Sequence, residues 1–122
     1  MRNFNKGSVD EFRCRCGECG KGFDDMEPIM LMSLDDARDL ARVPFVLNSA
    51  IRCPAWNKHE GGADDSAHLK GWAVDIQTPD SRTRYRVLKA LFAKGFHRIG
   101  IYKTFIHADM DPSLPPEVSW RG

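Results

Sequence analysis

The sequence predicts an α+β domain with a mainly antiparallel sheet and two main helices packed on it. Three observations lead there. The chain has 122 residues, enough for one hydrophobic core but not for two. Two segments carry apolar residues at helical spacing, and about four others read as strands. Those strands do not alternate with helices in βα units, which points to segregated layers rather than a parallel sheet. Residues 1–122 are therefore expected to form a single domain, with 1–24 as an N-terminal arm.

The arm is polar, carries Gly7, Gly17, Gly20 and Gly22, and holds three of the four cysteines. It is expected to be irregular, with at most a short strand near Phe12, and such a segment needs a staple to stay ordered. Over 28–42, "PIMLMSLDDARDLAR", Pro28 suits the first helical turn, and Met30, Leu34, Ala37 and Ala41 recur on one face. "PFVLNSAI" fits a strand through Val46, Leu47 and Ile51. Residues 53–65 contain Pro54, a Gly-Gly pair and an Asp pair, and are expected to be a surface connection.

"GWAVDIQT" is a short apolar strand stopped by Pro79. A second helix over 80–95 can be capped by Asp80 or Ser81, has Tyr85, Leu88, Leu91 and Phe92 on one face, and ends at Gly95. "RIGIYKTFIHADMD" reads as two strands around a Tyr-Lys turn, and a proline-rich tail follows.

Composition narrows the function. Apolar residues make up 42% and charged residues 29% of the chain, a globular balance. With 18 basic and 17 acidic side chains the net charge is +1, so there is no general attraction for nucleic acid or anionic lipid. Neither partner is expected, and the expected state is a monomer. No apolar run approaches the ~20 residues of a transmembrane helix. "MRNFNKGSVDEF" lacks the apolar core of a secretory signal, so the chain is expected to be cytoplasmic on synthesis.

The segment "SAHLKGWAVDI" sets His68 and Asp75 at the two ends of an apolar run. Side chains alternate along a strand, so Ala73 and Asp75 share one side, with Trp72, Val74 and Ile76 on the other. Gly71 permits the turn that folds His68 back toward Asp75. In "FIHADMD", His107, Asp109 and Asp111 alternate to one face. An imidazole and two carboxylates there are costly without a partner, and a divalent cation would resolve the cost. Two histidines and a carboxylate form a known catalytic zinc shell, with a position left open for water. The competing reading is a partly exposed loop histidine and a strand-end carboxylate.

"SAHLKGWAVD" matches at every fixed position the Ser-x-His-x-x-Gly-x-Ala-x-Asp motif of the zinc D-Ala-D-Ala carboxypeptidases and related murein peptidases, which share a fold with the hedgehog signalling domain. "SAIRCPAWNKHEGGADDSAH" resembles the family's Ser-x-x-Arg-x-Pro-x-x-Asn and Gly-Gly-Ala-x-x-Ser-x-His segments. "RIGIYKTFIHADMDPSLP" resembles the closing strand of small, often phage-encoded members.

The resemblance covers about residues 28–120. It implies a zinc peptidase acting on peptidoglycan stem peptides, as a carboxypeptidase or an endolysin-type endopeptidase, after release or as a virion component. It carries the zinc ligands over to His68, Asp75 and His107, places Arg52 beside the substrate, and gives Ser66 a hydrogen bond to substrate or to a ligand. Many relatives have Glu or Asp three residues before the last histidine ligand; here that position is Thr104. Asp109 is then the expected proton acceptor, or else it orients His107. The Thr104 departure also favours a rival reading, a catalytically inactive zinc-containing wall-binding or interaction domain of the same fold.

Cys14, Cys16 and Cys19 in "CRCGECG", together with Cys53, can hold a second, structural zinc, form disulfides or stay reduced. Two further readings have less support. A zinc-ribbon-like nucleic-acid module lacks a basic aromatic face. A cysteine hydrolase using Cys53 with His59 or His107 rests on residue type alone.

Overall fold

The computed structural model describes residues 3, 4 and 9–122; residues 1, 2 and 5–8 of the expected arm lie outside that set. Its regular elements are α1 (Pro28–Ala41), β1 (Leu47–Ser49), α2 (Pro54–His59), β2 (Ala73–Gln77), α3 (Ser81–Ala93), β3 (Arg98–Ile101), β4 (Phe105–Asp109) and β5 (Val118–Arg121). The five strands form one sheet in the order β1-β2-β4-β3-β5. All pairings are antiparallel except β3 with β5. The α+β class and mainly antiparallel sheet are those predicted.

α1 begins with Pro28 in its first turn, where no N–H is needed, and ends with Arg42 in the left-handed region (φ 56°). It buries Met30, Leu34, Ala37 and Ala41 as its spacing predicts. α3 is capped by Asp80, whose carboxylate accepts the Thr83 N–H at 2.7 Å. The predicted face of α3 needs correction. Val87, Ala90 and Leu91 are buried, whereas Tyr85 and Phe92 are exposed. α1 packs on α3, and α3 on β4. Between helices and sheet lie Val74, Ile76, Ile99, Ile106 and Ala108, all fully buried. Each large aliphatic side chain taken from water there stabilises the fold by about 1.5–3 kcal/mol.

Three further elements differ from expectation. The connection over 53–65 contains α2, because Pro54 again starts a helix rather than breaking the chain. The proline-rich tail contains β5, which pairs parallel with β3 in the register Gly100↔Trp120. Near Phe12 the arm forms turns rather than a strand. Phe12 is nevertheless core, packed edge-on against Phe4 at 5.3 Å and Phe23 at 5.8 Å between ring centroids. The arm is also tied to α1 by Asp35, which accepts the Asn3 N–H at 2.7 Å.

Candidate metal centre

Strand pairing places the chemistry. Asp75 on β2 is the direct partner of His107 on β4, and Ala73 that of Asp109. On the other side of β4, Arg98 faces Asp109 and Gly100 faces His107. Because side chains alternate, Asp75, His107, Asp109 and Arg98 all leave the sheet on the face away from the helices. A 3-10 turn over Ala67–Lys70 delivers His68 to the same side. Ser66 Oγ accepts the His68 N–H at 3.3 Å, so Ser66 supports the turn. Gly71 closes it at φ 77°, where a β-carbon would also lie 2.3 Å from the Asp25 carbonyl oxygen.

Asp75 Oδ1 lies 3.2 Å from His68 Nε2 and 3.0 Å from His107 Nδ1. All three donor atoms fall within 4.8 Å of one another. Zinc bond lengths of about 2.0–2.2 Å put neighbouring donors of a tetrahedron about 3.3 Å apart, so the donor set fits that ion. The far nitrogen of each ring is already occupied. His68 Nδ1 donates to the Ala50 carbonyl at 2.7 Å, and His107 Nε2 donates to Asp109 Oδ2 at 2.7 Å. These bonds orient the rings and leave His68 Nε2 and His107 Nδ1 as the atoms able to meet a cation.

The carboxylates are held in turn. Asp75 Oδ2 accepts from Arg52 Nη2 at 3.2 Å, while Arg52 Nε donates to Ser49 Oγ at 3.0 Å and Nη1 to Asn57 Oδ1 at 3.3 Å. Asp109 Oδ1 lies 2.9 Å from Arg98 Nε and accepts the Asp111 N–H at 3.1 Å. Asp111 itself turns away to Lys70, 2.6 Å distant, and to Ser113.

Burial would push the Asp75 carboxyl up, but the His68 charge and hydrogen bonds from both imidazoles outweigh it and hold it well below the usual carboxylate range. Burial keeps His68 below its ordinary value. For His107 burial works downward too, yet the hydrogen bonds and charges of Asp109 and Asp75 prevail and raise it to about 9. A raised imidazole stabilises the fold fully below its ordinary value of 6.5 and loses that contribution as pH rises through about 9. The metal-free chain is therefore expected to melt at progressively lower temperature across this window. Because a cation at Nδ1 displaces the proton, zinc affinity should rise over the same interval. Thermal unfolding with and without chelator, at a series of pH values, checks both trends.

Around these groups lies a cavity of about 660 Å³, of a size that takes a short peptide. Arg52, Ser66, His68, Asp75, His107 and Asp109 all line it. Every site residue named from the resemblance thus comes to one place. One wall is aromatic. Tyr102 stacks on Phe105 at 4.4 Å between centroids and its hydroxyl accepts the Trp120 indole N–H at 3.0 Å. Trp120 crosses Gly100, where a β-carbon would meet the indole nitrogen at 2.5 Å. The loop carrying Glu60, Gly62 and Asp65 also lines the cavity.

The sequence reading missed Arg98, Trp120 and Tyr102, and gave no role to Ser49 and Asn57, although both are fixed positions of the Ser-x-x-Arg-x-Pro-x-x-Asn segment. Arg98 was accessible in principle, since an Arg and an Asp at facing positions of a hairpin form a cross-strand pair. Trp120 depends on the parallel β5 pairing, which has no local signal.

The other histidines stay outside. His59 is exposed and stacks on Trp56, and His97 is not among the cavity's lining residues. Cys53 Sγ joins the other three thiols instead of the cavity, which removes the geometry a Cys53 nucleophile would need.

Among the described residues no helix is long and apolar enough to cross a membrane. A family model described as Peptidase M15 matches residues 5–109. No curated protein matches the chain.

Proposed function

The chain belongs to the Peptidase M15 family, the zinc D-Ala-D-Ala carboxypeptidase-like group, and from that premise we propose that it hydrolyses an amide bond in the stem peptides of bacterial peptidoglycan, with His68, Asp75 and His107 as its zinc ligands. One observation carries the reading: Asp75 Oδ1 sits 3.2 and 3.0 Å from one nitrogen of each imidazole, while the far nitrogens are held by Ala50 and Asp109. Zinc there would supply Lewis acidity toward the substrate carbonyl and a water-derived nucleophile at neutral pH.

The chain's own residues set up the rest. Arg52 aims Asp75 through its hydrogen bond to Oδ2, and lines the cavity where a substrate carboxylate or developing oxyanion would meet its guanidinium. The aromatic wall of Tyr102, Phe105 and Trp120 offers apolar surface to the peptide.

Of the two roles expected for Asp109, the geometry supports orientation. Oδ2 takes the His107 Nε2 proton, Oδ1 is engaged by Arg98 and the Asp111 N–H, and the residue is 1% exposed. Asp109 is then a positioning residue rather than the proton acceptor. Asp109→Asn is expected to weaken zinc binding about 10–100-fold, while the zinc-saturated variant keeps most of its kcat. A competition titration against a chromogenic chelator, paired with kcat at saturating zinc, reads both. A fall in kcat of about 10²–10⁴-fold at full zinc occupancy would restore the proton-acceptor role.

The functional test is mass spectrometry of purified peptidoglycan after incubation with the zinc-loaded chain. Loss of a single terminal alanine from the stem identifies a carboxypeptidase, and loss of cross-linked or longer stems identifies an endopeptidase. Thr104, in place of a carboxylate, is the observation that favours an inactive wall-binding domain. Unchanged muropeptides alongside retained wall binding would establish that second reading. The enzyme would reach the wall after release at lysis or as part of a virion.

A further inference from the structure

The four cysteines form a second cluster that the catalytic reading does not use. Their sulfur atoms all lie within 4.8 Å of one another, although Cys53 is far from the other three in sequence. We propose that Cys14, Cys16, Cys19 and Cys53 bind a structural zinc ion in a closed tetrathiolate site, which staples the N-terminal arm to the segment that carries Arg52.

Five properties of the cluster support this. Zinc–sulfur bonds of about 2.3 Å place the sulfurs of a tetrahedron about 3.8 Å apart, so the observed spread needs only a small contraction. Backbone N–H groups already point at three of the sulfurs. Glu18 N and Cys19 N each donate to Cys16 Sγ at 3.3 Å, Lys21 N donates to Cys19 Sγ at 3.4 Å, and Cys53 N donates to Cys14 Sγ at 3.4 Å. Donors arrayed in this way offset the negative charge of metal-bound thiolates.

All four cysteines are free thiols, and no pair among them is joined as a disulfide. Cys14 and Cys53 are buried, Cys16 is partly exposed and Cys19 is exposed, which leaves the ion a route in from one side. Residues 13–21 carry Arg13, Arg15 and Lys21 against Glu18 alone, so the segment holding three of the thiols is net positive. With four sulfur ligands no position is open to substrate, so the site is structural.

The location gives the ion its purpose. From 9 to 22 the arm has no helix or strand, and few backbone hydrogen bonds beyond Cys14 N to the Lys21 carbonyl at 2.9 Å hold it. Cys53 directly follows Arg52 and sits at the start of α2, whose Asn57 also binds the guanidinium. A metal clip at Cys53 therefore anchors both the arm and one end of the segment that grips Asp75.

The test is metal analysis and cobalt substitution of three proteins: wild type, His68→Ala, and the double variant Cys16→Ser/Cys19→Ser. The expected zinc content is two per chain in the wild type and one in each variant. Cobalt-loaded wild type and His68→Ala should both show a near-ultraviolet thiolate-to-cobalt charge-transfer band, absent from the double variant. If the double variant does not fold, the other two decide, since both keep all four thiols. A wild type with one zinc that disappears in His68→Ala, without the charge-transfer band, overturns the proposal. So does a mass deficit from disulfides in protein prepared under reducing conditions, or iron in place of the second zinc. Failure of the catalytic reading would leave the band in His68→Ala untouched.

Discussion

His68→Ala is expected to lower kcat/KM on a stem peptide by at least about 10³-fold and to remove one zinc per chain. The estimate follows from the several kcal/mol of charge stabilisation a metal supplies, at 1.36 kcal/mol per factor of ten. His68 is 2% exposed, and its Nδ1 bond to the Ala50 carbonyl fixes which nitrogen points at Asp75. Alanine removes a ligand and also leaves that carbonyl without its donor, a cost of about 1–3 kcal/mol in the metal-free chain. His59→Ala is the control, because His59 is exposed and does not line the cavity; zinc content and kcat/KM should match the wild type. Steady-state kinetics with metal analysis of the same samples gives both readouts.

Arg52→Ala has the largest expected effect on stability. The Arg52 and Asp75 side chains are 11% and 8% exposed, so their pair is largely shielded from water. Breaking such a pair by deleting one partner costs about 3–5 kcal/mol when the remaining charge is left unpaired; Asp75 keeps both imidazoles, so the low end, about 3 kcal/mol, is expected. Ser49 and Asn57 lose their partner as well. For a domain of this size about 3 kcal/mol corresponds to a fall of about 10 °C in the melting temperature of the metal-free chain.

Zinc should reduce the deficit, since a cation at the site restores a counter-charge to Asp75. Arg52→Lys should recover little, as a single ammonium does not reproduce the planar fork that spans Ser49, Asn57 and Asp75. Calorimetry of wild type and both variants, chelated and zinc-loaded, reads this out. Full rescue by lysine would mean that only the charge at position 52 matters.

Local pattern and tertiary pairing divided the labour in a consistent way. α1, β2 and the β3–β4 hairpin were legible because their apolar residues repeat at the period of the element they form. The candidate metal triad, which the structure brings within 4.8 Å, was visible because His68 and Asp75 share one short motif, and because alternation put His107 on a definable face of β4. What escaped reading depends on contacts between distant segments. β5 is a short, mostly exposed strand after prolines, and it exists because β3 offers a free edge.

The face of α3 was misjudged because its largest apolar side chains, Tyr85 and Phe92, are not the buried ones; the helix turns the smaller Val87 and Ala90 inward. Asp109's two roles were equivalent on paper. The β3–β4 register, by setting Arg98 opposite it, supplied the second partner that favours orienting His107.

The proposed function requires His68, Asp75 and His107 together to hold a catalytic zinc. It is tested most directly by an anomalous difference map from a crystal of the zinc-loaded protein, recorded above and below the zinc edge. The predicted result is a peak about 2.0–2.2 Å from His68 Nε2, Asp75 Oδ1 and His107 Nδ1. A map from zinc-saturated crystals with no peak at these three atoms would overturn this ligand set.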